Sequence, residues 1–369
     1  MPTPHRPPAA PPALDDGWEV ASPAEVDLDA AQLSRLDAFL RQWPRHNVHA
    51  VVIARRGKLV FERYFRGRER RWMAWSGTVQ FSPTTKHDIR SISKSVISLL
   101  VGMAVSEGKF PPLDSSVIDY FPDHVDLSTP AKGRITFRHL LTMSHGLRWE
   151  ERVAWTSRAN NERLLFEAKD PCRYVLAQPM ALPPGAAFNY CGGATTLLAA
   201  ALVKAVGRSL ETYASESLFG PLGITDTEWL GFAGSALVAA FGGLRLRPRD
   251  LAKLGQLVAD EGRWKGRQIL PAQWIAESTC PHLNAEGFQA LYYGYHWWLG
   301  RSLLNGRELT WTAGFGSGGQ RLFIVPLLDL VVAVNAFNYR HHIPAAILNR
   351  FVLPAVMDHP SQPRDASGN

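Results

Sequence analysis

Hydrophobic residues make up 46% of the 369-residue chain and charged residues 20%, a balance typical of globular proteins, so a chain that is disordered throughout is excluded. Lysine and arginine exceed aspartate and glutamate by 40 to 33, giving a net charge of +7. These basic residues are scattered and no nucleic-acid-binding motif accompanies them, so a nucleic acid is not the expected partner. The sequence has no uncharged run of 18 apolar residues, so it predicts no membrane span.

The ends of the chain and its cysteines indicate where the protein works. Residues 1–16 carry six prolines within the first twelve positions, which predicts a stiff, disordered tail without a secretory signal. Residues 358–369 are predicted to be a second, frayed tail. Cys172, Cys191 and Cys280 are widely spaced and odd in number, so neither a disulfide framework nor a structural zinc site is expected. Reduced cysteines favour a cytoplasmic protein.

The first part of the chain predicts a helix, a β-hairpin and a second helix. Residues 30–43 place apolar side chains at helical spacing. Residues 48–54 and 58–65 are rich in β-branched and aromatic residues, and the Arg-Arg-Gly run between them predicts a hairpin turn. Residues 91–108 are apolar on most faces of a helix, which indicates a central, buried helix.

The rest of the chain changes from helices to strands. Helical segments are expected at 136–143, 195–206 and 248–260, between loops punctuated by proline and glycine. Strands are expected at 308–313, 320–326 and 329–336. A closing helix, 343–357, is expected to kink near Pro354.

These elements predict an α+β fold with two lobes. The simplest assembly pairs the N-terminal hairpin with the C-terminal strands in one antiparallel sheet flanked by helices. The α/β lobe then comprises about 17–100 and 285–357, and the all-helical lobe about 101–284, within one catalytic unit of 17–357. We expect the site in the cleft between the lobes.

Ser91 and Lys94 form a Ser-x-x-Lys pattern in the first turn of the buried helix. Because residues three apart share a helix face, the Ser91 hydroxyl and the Lys94 ammonium can touch. A serine hydroxyl is a weak nucleophile until a base takes its proton, and a lysine can be that base or hold another group as the base. Burial pushes a lysine toward its neutral form. By itself the pattern also fits a capped helix with a surface lysine, but the helix that follows is too apolar to present Lys94 to solvent.

The segment RSISKSVISLLVGMAVSEGKF, residues 90–110, resembles the active-site helix of the penicillin-recognising serine enzymes. That family includes class C β-lactamases, their family VIII-type esterase relatives, penicillin-binding proteins and 6-aminohexanoate-dimer hydrolases. Further segments resemble the family in the same order: ITFRHLLTMSHGL (135–147), GGLRLRPRDLAKLG (242–255), YGYHWWL (293–299) and FIVPLLDLVVAV (323–334). The resemblance covers about 17–357 and implies the β-lactamase/transpeptidase-like fold.

The resemblance implies roles for residues outside the helix. Tyr190 matches the family's second motif, Tyr-x-Asn or Tyr-Ser-Ser, and is implied to be the partner of Lys94 and the general base, since a nearby ammonium favours a tyrosinate. Gly192 departs from that motif because it has no side chain for a substrate amide. The third motif, Lys-Thr-Gly, has lost its lysine here, and the backbone N–H near Ala313 or Gly314 is implied to complete an oxyanion hole with that of Ser91.

Other motifs are set aside or left open. The glycines at 314, 316 and 319 fit G-x-G-x-x-G, but a strand follows them instead of a helix, so no nucleotide cofactor is expected. A Ser-His-Asp triad that uses His87 or His145 remains an alternative, although a structural role is favoured for each histidine. No H-E-x-x-H occurs, and the adjacent His341 and His342 do not readily face one ion, so no metal is expected.

The expected function is a serine hydrolase that cleaves a small-molecule ester or linear amide through a covalent acyl-Ser91 intermediate, without a cofactor. The alternatives are a β-lactamase or D-alanyl-D-alanine carboxypeptidase, and a catalytically idle sensor or scaffold. Retention of Ser91, Lys94 and Tyr190 favours activity. The missing motif lysine and asparagine favour esters or linear amides over β-lactams, unless an arginine such as Arg321 replaces the lost charge. An aromatic-lined pocket is suggested by Trp149, Trp155, Trp297 and Trp298.

Overall fold

The computed structural model describes residues 9–43, 45–72, 74–285, 291–339 and 342–357. The predicted tail 358–369, the first eight residues and His341 lie outside the described residues. The strands are β1 (Glu19–Val20), β2 (Val48–Arg55), β3 (Lys58–Tyr64), β4 (Arg66–Arg71), β5 (Ala74–Gln80), β6 (His87–Asp88), β7 (Glu228–Trp229), β8 (Leu244–Leu246), β9 (Arg263–Trp264), β10 (Arg267–Gln268), β11 (Leu283–Ala285), β12 (Leu291–Tyr293), β13 (Trp298–Leu304), β14 (Arg307–Gly316), β15 (Gln320–Val325) and β16 (Leu330–Ala336). The helices are α1 (Ala30–Gln42), α2 (Ile92–Ser106), α3 (Val117–Tyr120), α4 (Phe137–Leu141), α5 (Asn161–Glu167), α6 (Pro171–Leu176), α7 (Gly192–Val206), α8 (Leu210–Ala214), α9 (Pro248–Ala259), α10 (Ala272–Ser278) and α11 (Ile343–Ala346).

The main sheet joins the two ends of the chain, as predicted. Within the described residues it has nine strands in the order β1-β3-β2-β16-β15-β14-β13-β12-β11. Neighbouring strands are antiparallel except for the short pair β1–β3, which is parallel. The N-terminal hairpin β2–β3 meets the C-terminal strands where Ile53 pairs with Val332. The predicted α+β fold is confirmed.

Helices cover both faces of this sheet, because side chains of successive strand residues point to opposite faces. Val51 and Ile53 belong to the core shared with α1 and the C-terminal helical segment, whereas Val52 and Ala54 belong to the core shared with α2. The predicted closing helix is present as α11, a π-helical stretch, Ile347–Val352, and a final 3₁₀ turn. None of the described helices combines the length and the apolarity needed to cross a membrane.

Helix α9 and the residues before β1 depart from the predicted lobes. Helix α9 was expected in the helical lobe, but it packs on the sheet against β2, β15 and β16. Gly255 permits this close approach, since a Cβ there would lie 2.5 Å from Val331 Cγ1. Buried Arg249 on α9 also holds the end of the predicted tail: it donates to the Pro12 carbonyl oxygen at 2.9 Å and pairs with Asp16 at 3.0 Å.

Candidate active site

A strained turn presents Ser91 at the start of α2. Arg90, just before it, has a φ of 53°, in the left-handed region that non-glycine residues rarely adopt. Its guanidinium donates to the Trp72 carbonyl oxygen at 2.6 Å and lies 3.1 Å from an Asp88 carboxylate oxygen. Gly316 lets the β14–β15 hairpin approach this turn, because a Cβ there would lie 2.5 Å from the Ile89 carbonyl oxygen. Backbone strain that tertiary contacts maintain in this way is typical of functional sites.

Lys94 lies at the centre of the candidate site. Its Nζ donates hydrogen bonds to Ser91 Oγ at 3.1 Å and to the Phe241 carbonyl oxygen at 3.0 Å. The Tyr190 hydroxyl is hydrogen-bonded to both Lys94 and Ser91, and the Tyr190 ring centroid lies 4.6 Å from Nζ. Three acceptors therefore surround the three N–H groups of one ammonium. The structure brings together Ser91, Lys94 and Tyr190 as the sequence analysis expected.

The other serines of this helix turn are occupied elsewhere. Ser93 Oγ donates to the Arg90 carbonyl oxygen at 2.6 Å, and Ser95 Oγ donates to the His296 carbonyl oxygen at 2.7 Å. Both serines are buried, and neither lines the cavity next to Ser91. Among the serines of this turn, Ser91 is therefore the one that lines the cavity.

Lys94 is charged, contrary to the expected effect of burial alone. Only 1% of the residue is exposed, and burial disfavours the ammonium. Tyr190, which accepts a hydrogen bond from the ammonium, and the carboxyl groups of Glu151 and Glu162 outweigh burial and hold the pKa of Lys94 above its ordinary value. A lysine that keeps its proton at neutral pH cannot serve as a base. Its positive charge instead stabilises negative charge on neighbouring groups.

Tyr190 is a neutral phenol in the resting protein. Burial raises the pKa of Tyr190 above its ordinary value and Glu151 adds to the increase, and the opposing effects of Lys94 and Ser91 do not cancel it. The ammonium favours the tyrosinate, as expected, but burial outweighs its effect, so Tyr190 keeps its proton in the resting state. Tyr190 loses its phenol proton only when the pH rises or when a proton leaves the Ser91–Lys94–Tyr190 cluster during the reaction.

Two carboxylates that the sequence analysis missed, Glu151 and Glu162, face the same cavity. One Glu151 carboxylate oxygen accepts hydrogen bonds from the Gly192 N–H at 2.8 Å and from Trp149 Nε1 at 2.7 Å. Burial raises the pKa of Glu162 to about 7, and the charge of Glu151 contributes to the increase. No motif marks either residue, because the fold of the loop that carries Glu151 and the placement of α5, which carries Glu162, decide that both side chains face the cavity.

The cavity beside Ser91 has a volume of about 640 Å³ and carries groups of both charges. Its wall includes Ser91, Tyr190, Glu151, Glu162, Trp298, Trp311, Phe315 and Arg321. Of the four predicted pocket tryptophans, Trp298 lines this cavity. Burial lowers the pKa of Arg321 to about 10, which still leaves a cation at neutral pH. Its guanidinium donates to the carbonyl oxygens of Gly316 and Gln320 at 3.0 and 2.7 Å.

The edge of β14 nearest the cavity is open. Pairing of β13 with β14 ends at Trp298 and Ala313, and Ala313 also pairs with Phe323 on β15. Ala313 is thus enclosed by strands on both sides, whereas residues 314–316 pair only with β15 among the described strands. A Cβ on Gly314 would lie 2.8 Å from Ile92 Cγ2, so the strand passes very close to the first turn of α2.

The histidines and Cys191 are placed away from Ser91. His145 is fully buried, and its Nδ1 accepts a hydrogen bond from the Leu147 N–H at 3.0 Å. His87 lies beside Glu69, and neither histidine lines the cavity. Cys191 is buried, and its Sγ accepts from the Ala194 N–H at the start of α7. The triad that uses His87 or His145 is not assembled, and Cys191 has a packing role.

The sequence profile of the β-lactamase family matches residues 36–351. The chain belongs to the β-lactamase family. It is a hydrolase of that family, and the resemblance indicated by its motifs is confirmed. It is 25% identical over 337 residues to 6-aminohexanoate-dimer hydrolase of Paenarthrobacter ureafaciens, which covers 85% of this chain and 78% of that protein.

Solved structures of other members share its fold. A family VIII carboxylesterase superposes with a TM-score of 0.68 at 17% identity, covering 88% of this chain and 96% of that one. An octameric penicillin-binding protein homologue from Pyrococcus abyssi superposes with a TM-score of 0.66 at 20% identity, covering 88% of this chain and 78% of that one.

Proposed function

We propose that this β-lactamase-family protein is a serine hydrolase that cleaves esters or small linear amides through a covalent acyl-Ser91 intermediate. The observation that carries the proposal is the contact of Ser91 Oγ with both the Lys94 ammonium and the Tyr190 hydroxyl at the wall of an open cavity. A bare serine hydroxyl needs such neighbours to become a nucleophile. A sensor or scaffold without catalytic activity does not need a buried Lys94 ammonium next to Ser91.

The reaction has two steps, acylation and deacylation. Tyr190, once it has lost its proton, takes the proton of Ser91 as Oγ attacks the substrate carbonyl carbon. The Lys94 ammonium stabilises the negative charge on the Tyr190 oxygen and remains protonated. Backbone N–H groups of Ser91 and of the open β14 edge at 314–316 hold the oxyanion. The leaving alcohol or amine departs with a proton from Tyr190, and water then hydrolyses the acyl-serine by the same proton transfers.

The lining of the cavity supports a small acyl substrate. Gly192 and the third-motif segment provide no side-chain amide or lysine to bind a β-lactam, whereas the attacking group and the oxyanion donors do not depend on those contacts. The 6-aminohexanoate-dimer hydrolase relative is named for a linear amide substrate. Short esters and linear amides are therefore the proposed substrate class.

A side-by-side comparison of substrates tests this class. We expect an activated short-chain ester and a linear amide dimer to be turned over with a kcat/KM at least roughly 100-fold above that of a chromogenic cephalosporin, because one charge-assisted contact and one amide hydrogen bond are missing. Intact-protein mass spectrometry during turnover should detect the acyl adduct. A cephalosporin that is the best of the three substrates would overturn the proposal.

A β-lactamase is the second candidate, and one observation favours it. Arg321 places a cation in the cavity, where it can meet a substrate carboxylate. Its N–H groups already donate to two backbone carbonyls, which reduces what it can offer a substrate. If the cephalosporin is hydrolysed well and the Arg321→Met variant loses that activity but keeps its esterase activity, the second candidate replaces the first.

The Glu151→Gln variant tests the role of charge around Tyr190. Glu151 raises the pKa of Tyr190, and activity needs Tyr190 without its proton, so activity rises with pH through that pKa. Removing the charge lowers the pKa of Tyr190, and the acid limb of kcat/KM for an uncharged ester should move to lower pH. The glutamine oxygen can still accept from Gly192 and Trp149, which preserves the local structure. The exposed neighbour Glu150, changed to glutamine, is the matched control and should leave the profile in place.

A further inference from the structure

Three buried side chains converge outside the active-site cavity. His49 lies on β2, Glu69 on β4 and His87 on β6, so the cluster joins the main sheet to two smaller sheets. One Glu69 carboxylate oxygen lies 3.7 Å from His49 Nδ1 and 3.5 Å from His87 Nδ1. One potential ligand atom from each residue lies within 4.8 Å of the other two.

The polar atoms of this cluster lack partners within the described structure. Both ring nitrogens of His49, Nε2 of His87 and one carboxylate oxygen of Glu69 are buried without a hydrogen bond. Buried polar atoms are nearly always paired, because they lose their contacts with water on folding. Two of these atoms, His49 Nδ1 and the Glu69 oxygen, lie 3.7 Å apart without a hydrogen bond, which indicates that something binds between the side chains.

The surroundings restrict the orientation of the rings. Phe81 stacks on both imidazoles, with centroid distances of 4.1 Å to His49 and 4.4 Å to His87. Gly67 brings β4 against His49, since a Cβ there would lie 2.6 Å from the His49 Cδ2 atom. Arg245 and Arg90 also act on Glu69, and both pair with Asp88, at 2.8 and 3.1 Å, which partly offsets their charge. The stacked Phe81 ring and the close approach of β4 hold the cluster in place.

We propose that His49, Glu69 and His87 bind one divalent transition-metal ion, with zinc as the expected occupant. Two imidazoles and one carboxylate are donors that zinc prefers. Ligand atoms around a tetrahedral zinc ion lie about 3.3 Å apart, so each of these atoms moves by less than about 1 Å on binding. All three side chains are buried and tie separate strands together, so we assign the ion a structural role.

The site explains how the turn before the nucleophile is kept in place. Strand β6, which carries His87, leads directly into the strained Arg90 backbone and then into Ser91. An ion that links β6 to β2 and β4 ties this short strand to the main sheet. The sequence analysis expected no metal and did not consider these residues, because His49, Glu69 and His87 are separated in the chain and match no ligand motif.

Metal analysis of the full chain tests the proposal. Protein expressed in zinc-supplemented medium and passed through a desalting column should retain one zinc ion per chain. Chain that is unfolded with a chelator and refolded with zinc should regain it, whereas refolding without metal should give a protein with a lower Tm. Refolding with cobalt(II) should give the visible absorption of a four-coordinate ion with nitrogen and oxygen ligands.

Two variants make the test specific. Glu69→Gln keeps the side-chain shape but loses the anionic ligand, so zinc affinity should fall by more than about 100-fold. Exposed Cys280 lies 3.4 Å from His282 Nε2 and is the place where zinc would bind adventitiously, so Cys280→Ser is the control and should keep its zinc. Equal zinc content in wild type and Glu69→Gln, loss of zinc in Cys280→Ser, or a wild-type chain that refolds with zinc but holds none would each overturn the proposal.

Discussion

The Ser91→Ala variant is expected to lose roughly four to six orders of magnitude in kcat on an activated ester. Losses of this size occur when the nucleophile is removed from a set of catalytic residues that act together. The reason is that Ser91 Oγ is the hydroxyl that contacts both Lys94 and Tyr190. Intact-protein mass spectrometry should find no acyl adduct on this variant. Thermal unfolding should show a folded protein, because Ser91 is only half-buried and its hydroxyl contacts the Lys94 and Tyr190 side chains rather than the backbone of the turn.

The neighbouring serines provide the control for this experiment. Ser93→Ala removes a hydrogen bond to the Arg90 carbonyl oxygen, and Ser95→Ala removes one to the His296 carbonyl oxygen. Each should therefore lower the free energy of unfolding by about 1 kcal/mol. Both variants should still form the acyl adduct. If Ser91→Ala keeps its turnover while Ser93→Ala or Ser95→Ala loses it, the nucleophile has been assigned to the wrong residue.

The Tyr190→Phe variant is expected to lose roughly two to four orders of magnitude in kcat, the usual contribution of a general base. The phenylalanine ring preserves the packing against Trp298, whose centroid lies 5.5 Å away, and the contact with the Lys94 ammonium. What disappears is the oxygen that takes the Ser91 proton. The pH dependence assigned to Tyr190 should disappear with it, and the residual activity should no longer rise through the same pH range.

Tyr293→Phe is the matched control for this effect. Tyr293 is buried, and its ring centroid lies 6.3 Å from that of Tyr190, but it does not line the cavity. Its loss of a hydroxyl should change kcat by less than about 10-fold. A Tyr190→Phe variant with turnover equal to that of Tyr293→Phe would reduce Tyr190 to a packing residue.

The pair Ser91 and Lys94 is determined by sequence because helix geometry is local. Residues three apart on a helix lie on one face whatever surrounds the helix, and the apolar composition of 92–106 is enough to bury it. The same locality explains why the hairpin β2–β3 and the C-terminal strands were predictable from their alternation and turn residues. Tyr190 was assigned through resemblance to a family motif, and the structure brings its hydroxyl to Ser91 and Lys94.

The protonation of the site and the shape of its cavity depend on tertiary structure. Burial alone predicts a neutral Lys94, but Tyr190 and the carboxyl groups of Glu151 and Glu162, which lie on a loop and on α5, raise its pKa instead. Whether the β14 edge is open at Gly314 depends on where its pairing with β13 stops. Charge interactions and strand pairing act between atoms that are close in space, whatever their separation along the chain. A single sequence therefore determines the local Ser91–Lys94 pair and the fold class, whereas only the folded chain decides which charges surround that pair.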